Sequence, residues 1–117
     1  MSRDIVIQDI PPDIRSVEEI PDSWRPSPLP FGLAEVVAAI REIVPSADFT
    51  DPTWGQVEIP GAAIEVNISD APQLDSFVLH VRAADQAAAD QFVAQLLDRL
   101  NVRAFDPDSD TGLFRVL

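Results

Sequence analysis

The chain reads as an α+β domain: two helices packed on one face of a mostly antiparallel sheet, with a proline-rich N-terminal arm. Three features lead there. Two segments, 31–44 and 85–100, repeat apolar side chains at helical spacing. The stretch between them alternates apolar and polar residues with a period of two. The first 30 residues hold six of the eleven prolines in the sequence. At 117 residues the chain fits one domain, large enough to bury roughly two-thirds of its unfolded surface. The expected organisation is an extended arm over residues 1–30, packed on a single α+β body over 31–117.

Within the arm, Pro11, Pro12, Pro21, Pro26, Pro28 and Pro30 exclude a long helix or a central strand, because proline fixes φ and donates no backbone hydrogen bond. Ile5 and Ile7 alternate with Val6 and Gln8, which permits one short edge strand. The remaining apolar residues, Ile10, Ile14, Val17, Ile20, Trp24 and Leu29, are too many for a free linker and predict an arm that wraps over the body or over a second copy of it. Helix 31–44 carries Leu33, Val36, Val37, Ile40, Ile43 and Val44; Pro30 suits its start and Pro45 forbids its continuation. Helix 85–100 has Asp85 as N-cap, a stripe of Phe92, Val93, Leu96, Leu97 and Leu100, and Asn101 for the left-handed residue at its end. Between the helices, strands at 56–59 and 62–68 flank Pro60-Gly61, and a third at 77–82 completes an antiparallel meander. Residues 102–105 and 113–117 predict a closing hairpin around the 106–112 loop.

Composition bounds the chemistry. Twenty carboxylates face eight basic side chains, every one an arginine, for a net charge of -12; there is one histidine and no cysteine, lysine or tyrosine. Thiol nucleophiles, Schiff-base lysines, cysteine-bearing zinc sites and multi-histidine metal centres are therefore excluded, and no cofactor is expected. Such a charge repels phosphate backbones and anionic lipid, so neither nucleic acid nor membrane is an expected partner; it speeds encounter with basic proteins. No apolar run approaches the roughly 20 residues of a membrane span. The stretch MSRDIVIQDIPPD lacks the apolar region of a signal peptide, which together with the missing cysteine predicts a cytoplasmic protein.

The solvent face of the meander is the first candidate site. Alternation places Glu58, Glu65, Asn67, His80 and Arg82 together, opposite the Ile and Val residues. If the second and third strands pair so that residue numbers sum to about 145, Glu65 lies directly across from His80. A carboxylate beside an imidazole can orient it as a general base; the alternative is a half-solvated face with ordinary cross-strand polar pairs. Trp54 falls just before the first meander strand, where the simplest register adds it to this face as a core residue or as a binding anchor. A second candidate is Asp106-Pro-Asp108-Ser-Asp110-Thr-Gly112, whose alternating carboxylates imitate the start of a calcium loop. The glycine falls one position late and Leu117 stands where the bidentate glutamate belongs, so a structural turn is the better reading. With four glycines in the chain, no phosphate loop or dinucleotide fingerprint can be built.

The stretches Ile7-Gln-Asp-Ile-Pro-Pro-Asp, Glu19-Ile-Pro-Asp-Ser-Trp-Arg-Pro, Ala47-Asp-Phe-Thr-Asp-Pro-Thr-Trp-Gly, Ile64-Glu-Val-Asn-Ile and Leu79-His-Val-Arg resemble a group of small acidic bacterial proteins. That resemblance brings no catalytic residue with it. The ending Phe105-Asp-Pro-Asp-Ser-Asp-Thr-Gly is similar to the ends of some bacterial immunity proteins, which bind and block a cognate toxin.

The leading expectation is a non-catalytic module, an immunity-type inhibitor or adaptor, that docks a basic protein partner through Trp54, Glu58, Glu65, Asn67, His80 and Arg82. A small-ligand binder or enzyme centred on Glu65, His80 and Arg82 competes with it and requires a pocket at that face. A homodimer formed through the arm or an edge strand is the third possibility.

Overall fold

The computed structural model describes residues 2–114. Along the chain run β1 (Ser2–Gln8), α1 (Leu33–Ile43), β2 (Trp54–Ile59), β3 (Ala62–Asn67), β4 (Phe77–Ala83), α2 (Gln86–Leu100) and β5 (Arg103–Phe105). The strands form one antiparallel sheet in the order β2-β3-β4-β1-β5. Both helices pack on the same side, α1 against α2 and α2 against β3 and β4. This is the α+β architecture that the periodicities predict. No helix among the described residues is long and apolar enough to cross a membrane.

Local chemistry sets the element ends. Asp85 caps α2, its Oδ1 accepting from the N–H groups of Ala87 at 3.1 Å and Ala88 at 3.3 Å. Asn101 closes the helix in the left-handed conformation, φ 54° and ψ 51°, which asparagine tolerates better than most residues. At the start of α1 the Glu35 carboxylate reaches back to the Gly32 N–H at 3.2 Å. Pro60 and Gly61 alone join β2 to β3, since Ile59 pairs with Ala62. Positive φ falls on Gly61, at 89°, so proline takes the first central position of the turn and glycine the second. The N–H groups of Ala84 and Asp85 then both donate to the Gly61 carbonyl, tying this turn to the start of α2.

One face of every strand feeds the core. Ile5 and Ile7 of β1, Val57 of β2, Ile64 and Val66 of β3, and Leu79 and Val81 of β4 are fully buried beneath Val36 and Ile40 of α1 and Val93, Leu96 and Leu97 of α2. Each such side chain contributes about 1.5–3 kcal/mol on leaving water.

Strand β1 departs from the sequence expectation of a short edge strand. It lies inside the sheet, paired with β4 on one side and β5 on the other. The prolines begin only at Pro11, so residues 2–8 keep every N–H needed to pair in both directions. Strand β1 thus belongs to the body, and the arm proper starts at Asp9. From there it runs along β5: the Val17 N–H donates to Thr111 O at 2.9 Å, and Ile10, Ile14 and Leu113 form a second small core with Ile20 and Phe105 against it. The arm returns through the Asp9–Ser27 bridge. Leu29, fully buried, then donates its N–H to Leu74 O of the β3–β4 connection at 2.7 Å, and the Leu74 N–H donates to Phe31 O at 3.0 Å.

Both sheet edges are partly covered. Asp48 bridges Gln56 outside β2, and Leu113 bridges Phe105 outside β5. The closing hairpin is shorter than expected on its described side, since Leu113 makes only that isolated bridge; residues 115–117 lie outside the described residues.

Candidate functional site

With both helices on one side, the other side of the sheet is open over β2, β3 and β4, and Trp24 of the arm packs on Phe105 at its β5 end. Registers assign its residues to rows that cross the strands. One row reads Gln56, Glu65, His80, Asp4; Glu65 pairs with His80, as the sum of 145 requires, and His80 pairs with Asp4. On one side of it lies Glu58, Ala63, Arg82, Ser2; on the other lies Trp54, Asn67, Val78, Val6, Phe105. All six candidate residues therefore share this face. Trp54 is the first residue of β2 and is 40% exposed, so it lies outside the core.

The histidine is held from two sides. Its Nδ1 lies 2.7 Å from Asp4 Oδ1, and the Trp54 ring lies 5.8 Å away between centroids at an interplanar angle of 32°. The carboxylate that bonds the imidazole is thus Asp4, on the strand the sequence left at an edge, while Glu65 is the register partner of His80 on β3. Asp4, Val6 and Val78 are among the members of the face that sequence reasoning did not single out. The alternation Ser2, Asp4, Val6, Gln8 was the available signal, but it marks a face without saying which strand lies beside it.

Neither His80 nor Asp4 lines any of the five cavities mapped among the described residues. The two largest, about 610 and 530 Å³, are lined by residues around Leu113 and Phe114. A third, about 360 Å³, lies between the helices and the Pro60 turn. A further one, about 470 Å³, is lined by Arg82 together with Ser2, Ala83 and Ala84 at one end of this face.

The Asp106–Gly112 loop is a self-bonded turn. Asp106 Oδ1 accepts from the Asp108 N–H at 3.0 Å and Oδ2 faces Arg3 Nη1 at 3.5 Å. The Asp106 N–H donates to Gly112 O at 2.8 Å, and Gly112 takes φ 77°. Arg3 also pairs with Asp90 of α2. It therefore ties β1 to both the helix and the loop, leaving only its Nε without a partner among the described residues. The Asp106 carboxylate is committed to this lattice, and among the described residues no group of three His, Cys, Asp or Glu is placed to hold a metal ion.

The fold and site together define a small α+β protein with one helix-covered and one solvent-facing sheet surface. No protein-family model, curated protein or solved structure matches the chain, so its function is read from this surface.

Proposed function

We propose that this protein is a non-catalytic binding module, an immunity-type inhibitor or adaptor, that docks a basic protein partner on the open sheet face. The observation that carries the reading is Trp54, exposed on the open sheet face and packed against the only histidine. Exposed tryptophan beside polar residues is the composition of a contact anchor, and the net charge of -12 steers a basic partner toward it. The cysteine-free composition is compatible with a cytoplasmic setting. The test is capture from the native host with the full chain as bait. The partner is expected on the wild-type protein and absent from Trp54→Ala and Glu65→Arg, with its association slowing as salt rises. Equal recovery on all three baits, or an association rate indifferent to salt, overturns the reading.

The bond between His80 and Asp4 favours one other reading, a ligand site or enzyme that uses an oriented imidazole. It requires a ligand able to bind an open surface, and replacement of His80 by glutamine would then abolish its binding. Exchange of the arm between copies has less support, since Leu29 is buried in its own core.

A further inference from the structure

The row Trp54, Asn67, Val78, Val6, Phe105 crosses all five strands. It carries an aromatic ring at each end, and Trp24 stacks edge-on against Phe105 with centroids 6.3 Å apart. Four strand spacings make it roughly 19 Å long, the length of a helix of about 13 residues. Strands β2 and β4 begin at this row and β3 ends there, so segments 44–53 and 68–76 leave the sheet from that end; the Ile68 N–H joins them by donating to Thr53 O at 3.0 Å. These segments carry Asp48, Asp51, Asp70 and Asp75, all exposed. On the opposite flank of the row stand Glu65 and, one step further, Glu58. Arg82 shares the row of Glu58, and Arg41 lies over Phe49 beside Asp48. The carboxylates left to meet a partner are therefore Glu65 on one flank of the row and Asp51, Asp70 and Asp75 in the segments on the other.

Resting on the docking reading above, we infer that the occupant of this row is an amphipathic helical segment of the partner, about three to four turns long, with an apolar stripe bordered on both sides by arginine or lysine. Its stripe lies along Trp54, Val78 and Val6, and its cations meet Glu65 on one flank and the Asp51, Asp70 and Asp75 segments on the other. A second copy of this chain is the poorer occupant, because it brings a second net charge of -12 against the first. Helix-on-face recognition of this kind selects by the period of the apolar residues as well as by charge.

Two synthetic 14-residue peptides of leucine and arginine test the inference by titration calorimetry on the full-length protein. One places leucine at helical spacing, and the other has the same composition scrambled to break that period. The periodic peptide is expected to bind at least about tenfold more tightly, with Trp54→Ala and Glu65→Arg each weakening it by about tenfold or more. Both side chains reach solvent, and circular dichroism confirms that the variants keep their fold. Equal binding of the two peptides, indifference to Trp54→Ala, or no binding of either at millimolar concentration overturns the helical occupant. Those results leave the broader docking reading standing if a host partner is still lost with Trp54→Ala; if none is, both fall.

Discussion

His80 Nδ1 lies 2.7 Å from Asp4 Oδ1 across the β4–β1 pairing, so the residue that orients the only histidine comes from the first strand of the chain and not from the meander. The pair is open to water, with side chains 32% and 59% exposed. Exposed ion pairs contribute about 0–1 kcal/mol. Replacement of Asp4 by asparagine is therefore expected to shift urea unfolding by less than about 1 kcal/mol. A larger loss would mean the pair acts as a structural clamp.

Arg3 has the opposite character. Its side chain is 12% exposed and that of Asp106 only 7%, so removing the cation leaves a carboxylate in a water-poor site. Breaking a buried pair from one side costs about 3–5 kcal/mol. Arg3→Met is expected to fall near the lower end, because Asp106 retains the Asp108 N–H. Asp90→Ala, at the half-exposed corner of the same lattice, is expected to cost about 1 kcal/mol. Urea midpoints of the two variants check this ranking.

The helices are also joined at the surface. Arg99 Nε of α2 donates to Glu42 Oε2 of α1 at 2.5 Å. That hydrogen bond, and then the guanidinium charge, hold the Glu42 carboxyl below its ordinary value of 4.5. Asp48 is held below 3.8, first by the Thr50 hydroxyl and then by the Thr50 N–H. A carboxyl lowered in the folded state stabilises fully above its unfolded value and loses that stabilisation as pH falls through the folded one. Melting temperature is thus expected to drop below about pH 4.5, and Glu42→Gln to flatten the upper part of that acid limb. An unchanged acid limb in the variant would remove the pair from the account.

Gly55 lies on the core face of β2, where any Cβ would overlap the Phe49 ring. Phe49 is buried, so its ring cannot swing into solvent to make room. Gly55→Ala is expected to cost about 1–3 kcal/mol, the usual penalty for overpacking. Its measure is the urea midpoint, with an unchanged midpoint showing that the ring relocates freely.

Deleting residues 1–30 is expected to abolish cooperative unfolding. The deletion takes out β1, with the fully buried Ile5 and Ile7, and Leu29 besides. It leaves β4 and β5 without the strand between them. A sharp thermal transition in the shortened chain would show that residues 31–114 fold alone.

Where an element is decided by its own residues, the sequence by itself determined it. Both helices, the Asp85 and Asn101 caps and the meander follow from periodicity, capping and turn chemistry within a dozen residues. The pairing of Gln56 with Glu65 follows too, from the two-residue turn at Pro60-Gly61 and the period of two. Glu65 opposite His80, across the longer 68–76 connection, enters the sequence reading only as an assumed register, which the structure matches. Only the tertiary structure decided that β1 enters between β4 and β5, since alternation in residues 2–8 specifies a face and not a neighbour. That one insertion brings Asp4 to His80, buries Arg3 between Asp90 and Asp106, and extends the Trp54 row to Phe105. The physical reason is the sequence distance: these contacts join residues up to 103 positions apart, and no local period or propensity carries information about a partner so remote.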